Sequence, residues 1–479
     1  MTRTATDIEQ QRERLERIGQ AHALAFVDEL DDSQRAAFAA QLAGLDLERV
    51  PEWIERFVRT ESAVGDEDAH GTVEPAPVYR ADGSWDVREM RDAGEAMIAG
   101  GKIAAFTVAG GQGTRLGFDG PKGLYPATPI RKLPLFGCLA EWVVAAKTRW
   151  GVSIPWYIMT SPINHEATVS FFREKHFFGL DEGDVRFFSQ GVLPSLDRNT
   201  GKLLLESKGA LATNPDGHGG SLRALFTSGA IAEMRERGIE HISYVQIDNP
   251  LARVIDPVFL GLHASAAHSS GEMSTKVVLK QDPAEKVGVL GVRDGKTTVV
   301  EYSNLSDEMA NRRDARGRLS FGAGNIAIHA LGVGFVANLN EGGAFGLPLH
   351  RAIKKVPHVN IETGARVEPS EPNAVKLESF VFDALPLCAR SLVYEVERVD
   401  EFAPIKNAEG ADSPASSREL QIERAAGWLE SAGVSVSRDA QGRVEGVVEV
   451  SPARAMISED LSGEDLPDSL GAGETLELF

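Results

Sequence analysis

The sequence predicts an α/β protein with a helical N-terminal appendage and a small β-containing C-terminal one. Three observations carry the prediction. From Lys102 onward short apolar runs alternate with amphipathic stretches of helical period, the pattern of a sheet covered by helices. Residues 7 to about 60 keep the helical period without interruption by strands. Beyond about 408, alternation of period two returns in short pieces. With 479 residues the chain exceeds one ordinary domain. The expected division is a helical domain with linker over 1–95, a central domain over 96–407 and a small C-terminal domain over 408–479.

Taken in order, 8–30 shows apolar residues at helical spacing among Glu, Arg and Gln. Asp32 or Ser33 can cap a second helix through Leu45, and Pro51 suits the first turn of a third. Gly, Pro and Asp cluster over 61–86, where a linker is expected. The apolar run Ile103 to Val108 reads as a buried parallel strand. Then follow a helix over about 135–147, a strand at 155–159, a helix over 164–175 and a strand near 185–188. A single helix over 220–237 leads into a strand at 241–247, a helix near 257–268, and strands at 275–279, 288–292 and 297–302. Residues 305–319 mix charges around Gly317 and read as an exposed loop. Gly433-Val-Ser-Val-Ser and Gly446-Val-Val-Glu-Val-Ser alternate as strands, and the acidic 458–479 is expected to be partly loose.

Composition is globular, 42% hydrophobic and 25% charged, and 50 basic against 70 acidic residues give a net charge of −20. Such a balance argues against nucleic acid or an anionic membrane as the main partner. It also means that a polyphosphate site must be locally basic, and that a divalent cation would ease the repulsion. Cys138 and Cys388 lie far apart and form neither a disulfide framework nor a zinc cluster. Two buried thiols in a reducing cytosol are expected. The polar start MTRTATDIEQQRERLER lacks the apolar centre of a signal peptide, and no apolar run approaches membrane-spanning length. A cytoplasmic location is expected.

Directly after the strand 103–108 comes GGQGTRLGFDGPK, Gly110 to Lys122. Glycines here let backbone N–H groups approach a ligand, and Arg115 and Lys122 supply positive charge for phosphate oxygens. The dinucleotide fingerprint requires glycine where Leu116 stands, and the P-loop requires Ser or Thr where Gly123 stands, so neither fits.

Further candidates cluster near predicted strand ends, where open α/β sheets bind ligands. Gln190, in FFSQGVLPS, offers an amide to a nucleobase edge; the competing reading is a solvated loop residue. PDGHGG, Pro215 to Gly220, is a second glycine-rich turn opening a helix, with His218 either a ligand contact or a surface histidine. Asp248, ending ISYVQID, suits magnesium beside a phosphate, or caps the following segment. Glu301, Tyr302 and Ser303 close one strand and Gly324-Asn325 open the next; Glu301 and Asn325 suit sugar hydroxyls, or are turn residues. Phe380 and Phe382 alternate in KLESFVFD, on one strand face, as a sugar-pocket wall or as core. Lys406 ends EFAPIK as a phosphate ligand or a solvated lysine.

Together these segments, with MTSPINHEAT, FGAGNIAIH and VEVSP, resemble the eukaryotic-type UDP-sugar pyrophosphorylases over most of the chain, closest to their UDP-N-acetylglucosamine branch. The resemblance implies a central nucleotidyltransferase α/β domain with a Rossmann-like mixed sheet. It implies transfer of uridylyl from UTP to a sugar 1-phosphate with release of pyrophosphate, aided by Mg²⁺. By motif, Gly110, Gly111, Gly113 and Thr114 would cradle the nucleotide, and Gln190 and Gly217 would read the uracil. Arg115, Lys122 and Lys406 would hold the reacting phosphates and Asp248 the Mg²⁺. His218, Gly288, Glu301, Tyr302, Asn325, Phe380 and Phe382 would form the sugar pocket. The N-acetylhexosamine branch resembles PDGNGG and the glucose branch carries a GHG version, so His218 departs from the former. N-acetylglucosamine 1-phosphate is the expected acceptor, with glucose 1-phosphate or broad specificity as the alternative. A non-catalytic UDP-sugar-binding module is the reading of a different class.

Overall fold

A computed structural model describes residues 3–60, 72–80, 82–341 and 345–479. The chain forms two compact units, one gathering 1–72, 190–221 and 346–381, the other 73–189, 222–345 and 382–479. Segments 190–221 and 346–381, inside the expected central domain, thus cluster with the N-terminal helices. The C-terminal 408–479 clusters with the large sheet.

The larger unit is built on a ten-stranded sheet: β1 (Glu74–Pro75), β2 (Ile103–Val108), β3 (Trp156–Thr160), β4 (Val185–Ser189), β5 (His241–Gln246), β6 (Met273–Leu279), β7 (Val289–Arg293), β8 (Lys296–Val300), β9 (Ala323–Gly332) and β10 (Val393–Glu395). The order is β1-β7-β9-β5-β2-β3-β4, with β8 on β7 and β6 between β9 and β10. β5, β2, β3 and β4 run parallel, whereas β9 is antiparallel to β5 and β6, so the sheet is mixed as expected. Ile103 to Phe106 and all of β3 are buried, which is why they read as continuous apolar runs rather than alternating ones. Phe136 and Leu139 of the helix Leu135–Trp150 pack with Trp156 and Phe172 in the main core. Val108 stands opposite Gln246 in the register of β2 and β5, so the loops leaving these two strands emerge side by side.

The smaller unit holds the helices Arg3–Arg17 and Asp32–Ala43, and Val50–Trp53 continuing as a π-turn over Ile54–Arg59. Leu15, Phe38, Leu42, Trp53 and Phe57 form its core with Leu196, Leu203, Val375 and Leu377. A three-stranded sheet orders His350–Lys354, Ala374–Glu378 and Leu196–Asp197.

Several local expectations change. The expected helix 8–30 ends at Arg17, beyond which Gly19 has a positive φ and two short 3₁₀ turns follow. Asp31, not Asp32 or Ser33, caps the second helix, in a capping box with Gln34. Residues 61–71 and 81 of the expected linker lie outside the described residues. The expected helix 220–237 is two, Gly220–Thr227 and Ala230–Glu236, parted at Gly229 with φ +84°. A short helix, Asp307–Asn311 capped by Ser306, sits within the mostly exposed 305–319. The C-terminal segment carries an unexpected helix, Pro414–Ser431, whose Trp428 and Leu429 pack on Val448 and Val450. Its last residues are ordered: Thr475–Leu478 pairs in parallel with Val447–Val450, and Arg131 lies over the Phe479 ring at 4.8 Å. Among the described residues no helix is long and apolar enough to cross a membrane.

Candidate active site

The loop after β2 is held by its own backbone. The Gly113 N–H donates to the Gly120 carbonyl at 2.9 Å and the Lys122 N–H to that of Gly111 at 3.1 Å. Its glycines differ in purpose. A Cβ on Gly111 would meet nothing within 4 Å, as suits a backbone left open to a ligand; one on Gly113 would stand 2.7 Å from the Phe118 ring. Gly113 therefore closes the loop, while Gly111 faces open space. Thr114 and Arg115 are exposed on the 3₁₀ turn between them and Gly117.

At the end of β5 the Asp248 carboxylate lies 3.7 Å from Lys122 Nζ, the two side chains being 16% and 15% exposed. The Asp248 carbonyl accepts the Ile405 N–H at 2.8 Å, which brings Lys406 alongside. Lys406 is 44% exposed, 3.9 Å from Asp412 and 5.6 Å over the Phe402 ring. Burial pushes the Lys122 ammonium below the usual lysine range; Asp248 opposes that, and Lys406 and Arg115 add to it. Three cations and one carboxylate thus converge on a chain of net charge −20. The next helix, Pro257–Ser265, is capped by Asp256, whose carboxylate accepts from Val258 and Phe259. Among the described residues no group of three or more His, Cys, Asp or Glu could cage a metal. A single carboxylate beside phosphate ligands fits Mg²⁺, which keeps several waters and binds one or two carboxylates plus substrate oxygens.

Gly288, Glu301 and Asn325 are also neighbours in the larger unit. The Asn325 N–H donates to the Gly288 carbonyl at 2.9 Å, and a Cβ on Gly288 would come 3.4 Å from Glu301 Oε1. β8 stops at Val300, so Glu301 lies beyond the strand rather than on it, and Tyr302 is exposed on the 3₁₀ turn Tyr302–Asn304.

The remaining candidates belong to the smaller unit, apart from Phe382. Gln190 is buried, and the Asp216 N–H donates to the carbonyl of neighbouring Gly191 at 3.2 Å, placing Gln190 beside PDGHGG. Gly217 has φ +83°, and a Cβ there would stand 2.3 Å from the Ser379 carbonyl oxygen; the turn lies directly on the 379–380 backbone. His218 Nδ1 accepts the Val381 N–H at 3.1 Å, so its proton sits on Nε2. Its ring is 5.3 Å from Phe380, which stacks on His350 at 4.7 Å. Phe380 and Phe382 do not share a strand face. The strand ends at Glu378, and Val381–Leu387 is a 3₁₀ helix, so the expected alternation is lost.

A profile of the family described as UTP–glucose-1-phosphate uridylyltransferase matches residues 60–423. The chain belongs to that family. It is 36% identical to the UDP-N-acetylhexosamine pyrophosphorylase-like protein 1 of Xenopus tropicalis, over 96% of this chain and 94% of the relative. It is 38% identical to the UDP-N-acetylglucosamine pyrophosphorylase of Saccharomyces cerevisiae, over 76% of each chain. The solved structure of the uridine diphosphate N-acetylglucosamine pyrophosphorylase of Trypanosoma brucei, in complex with an inhibitor, superposes with a TM-score of 0.80 at 26% identity, covering 99% of this chain and 98% of that one. The chain is thus a UDP-sugar pyrophosphorylase, a nucleotidyltransferase acting on UTP and a sugar 1-phosphate.

Two residues of this uridylyltransferase escaped the sequence reading. Asn164 looks like the start of a helix, yet its side chain makes no cap. Nδ2 instead donates to the carbonyls of Ala109 and Gly111 at 3.0 and 3.2 Å, and Oδ1 accepts the Ser161 N–H at 2.7 Å. It ties the glycine loop to the end of β3, a contact between segments over fifty residues apart that no local pattern announces. His350 joins Phe380 only through strand pairing with Glu378. A cavity of about 310 Å³ lined by Trp142, Arg253, Tyr394 and Glu401 contains none of the candidate site residues.

Proposed function

We propose that this enzyme makes a UDP-N-acetylhexosamine, with N-acetylglucosamine 1-phosphate as its acceptor, in the presence of Mg²⁺. The convergence of Lys122, Asp248 and Lys406 at the ends of β2 and β5 carries the catalytic reading; the named relatives support the sugar. An oxygen of the sugar phosphate attacks the α-phosphorus of UTP in line. A new P–O bond forms as the bond to the β-phosphate oxygen breaks, and pyrophosphate leaves with that electron pair. The nucleophile belongs to the substrate, so the protein's part is positioning and charge neutralisation. Lys122 and Arg115 hold the phosphates that leave, and Lys406 the phosphate that attacks. Mg²⁺ bound at Asp248 would neutralise charge on the phosphate oxygens. Within the larger unit, Gly110, Gly111 and Thr114 are assigned to the nucleotide, and Gly288, Glu301, Asn325 and Phe382 to the sugar.

Pyrophosphate release from UTP with glucose, galactose, N-acetylglucosamine or N-acetylgalactosamine 1-phosphate tests this. The acetylated sugars are expected to be preferred, and Lys122→Ala and Lys406→Ala to lower kcat by about 10²–10³ each. Unchanged release in both variants would sink the mechanism. His218 favours a second reading, in which glucose 1-phosphate is the acceptor. That reading stands if glucose 1-phosphate is preferred and His218→Asn shifts the preference toward the acetylated sugar.

A further inference from the structure

Asn249, next to Asp248, is buried with its amide turned onto backbone. Nδ2 donates to the Glu401 carbonyl at 2.6 Å, and Oδ1 accepts the N–H groups of Ala403 and Leu251 at 3.1 and 3.2 Å. The Asp248 carbonyl takes the Ile405 N–H at 2.8 Å, and Ser417 Oγ donates to the Ala403 carbonyl at 2.6 Å. The segment 401–405 is thus pinned at Glu401, Ala403 and Ile405, and the next residue is Lys406.

The start of this strap is anchored by buried charge. Lys276, 0% exposed, reaches Asp256 at 2.5 Å and both oxygens of Glu401, itself 1% exposed, at 2.6 and 2.9 Å. Three ions withdrawn from water make a poor stabilising device, because desolvation offsets most of their attraction and well-packed apolar residues often do as well. Such clusters are best attested where they fix register. Here the cluster holds Glu401, the first residue of the strap.

The geometry points to Asn249 as a positioning residue of uridylyl transfer, acting on the strap that the Lys276–Asp256–Glu401 cluster anchors and setting Lys406 against Asp248 and Lys122. This rests on the roles proposed above for Lys406 and Asp248. Its amide touches backbone alone, so its effect must pass through the residue it places.

The test is a double-mutant cycle on pyrophosphate release with the preferred sugar 1-phosphate, using wild type, Asn249→Ala, Lys406→Ala and the double variant, with thermal melts of each. Asn249→Ala is expected to lower kcat about 10- to 100-fold, with both KM values within about threefold, while the protein still melts cooperatively. The double variant is expected within about threefold of Lys406→Ala, since nothing remains for Asn249 to place. Wild-type activity in Asn249→Ala beside an impaired Lys406→Ala overturns this inference alone. So does a double variant whose losses multiply. Full activity in Lys406→Ala overturns the role of Lys406 together with this inference. Should Asn249→Ala not fold, Ser417→Ala takes its place in the cycle; a several-fold kcat loss absorbed by Lys406→Ala supports the inference, and no loss or a multiplied one overturns it.

Discussion

Lys122 holds its proton less firmly than an exposed lysine does. Burial is the main cause, Asp248 opposes it, and Lys406 and Arg115 reinforce it. The alkaline limb of kcat/KM, which reports the free enzyme, is therefore expected below the ordinary lysine value of 10.5. Bound phosphates raise the Lys122 pKa, so the corresponding limb of kcat should lie at higher pH. Stability moves the other way. Between the lowered folded value and the unfolded one, the unfolded chain holds more protons, so this group makes stability rise with pH. Activity lost on the alkaline side, in protein whose circular dichroism is unchanged, is the expected outcome. Lys122→Arg, which keeps its charge, should remove the limb; a limb that persists in that variant assigns it to another group.

At the scale of the element, the glycine loop is a strand exit that needs outside support. Its own turn bonds close it, but Asn164 holds its carbonyls to the neighbouring strand end. Asn164→Ala leaves the Ala109 and Gly111 carbonyls without that donor and the Ser161 N–H without its acceptor, a cost of about 1–3 kcal/mol for buried groups. We expect a lower melting temperature and roughly a tenfold fall in kcat as the loop loses its place. A melt that shifts with no change in kcat would assign Asn164 to stability alone. The same contact shows why the sequence, where Asn164 only begins the expected helix 164–175, does not mark this residue. Asn at the start of a helical period is locally a cap, and the tertiary contact took the side chain elsewhere.

Across the molecule, the C-terminal segment returns to the loop that follows Lys122. The Glu449 carboxylate accepts the N–H groups of Ile130 and Arg131 at 2.8 and 3.1 Å and Arg131 Nε at 2.6 Å, and Arg131 also pairs with Glu141. Glu449→Ala is expected to cost about 1–3 kcal/mol, read as a lower thermal midpoint. Arg131 is 21% exposed and keeps Glu141, so the loss should stay below that of a fully buried pair. If the midpoint does not move, the strand Val447–Val450 does not buttress that loop.

Read alone, the sequence determined the parallel core and the chemistry at its strand ends. Ile103 to Val108 read as a buried strand, and the structure buries Ile103 to Thr107; the glycines followed by Arg115 and Lys122 read as a turn carrying positive charge. Those features are local, because a strand's period and a glycine's missing Cβ are written in adjacent residues. Tertiary structure decided what distance in sequence concealed. It grouped 190–221 and 346–381 with the N-terminal helices, ended a strand before Phe380, broke the 220–237 helix at Gly229 and ordered the acidic tail against Val447–Val450. It also joined Lys122, Asp248 and Lys406, whose neighbourhood depends on strand register and on backbone bonds between segments more than a hundred residues apart. Composition and period do not encode such pairings; the packing of the core imposes them.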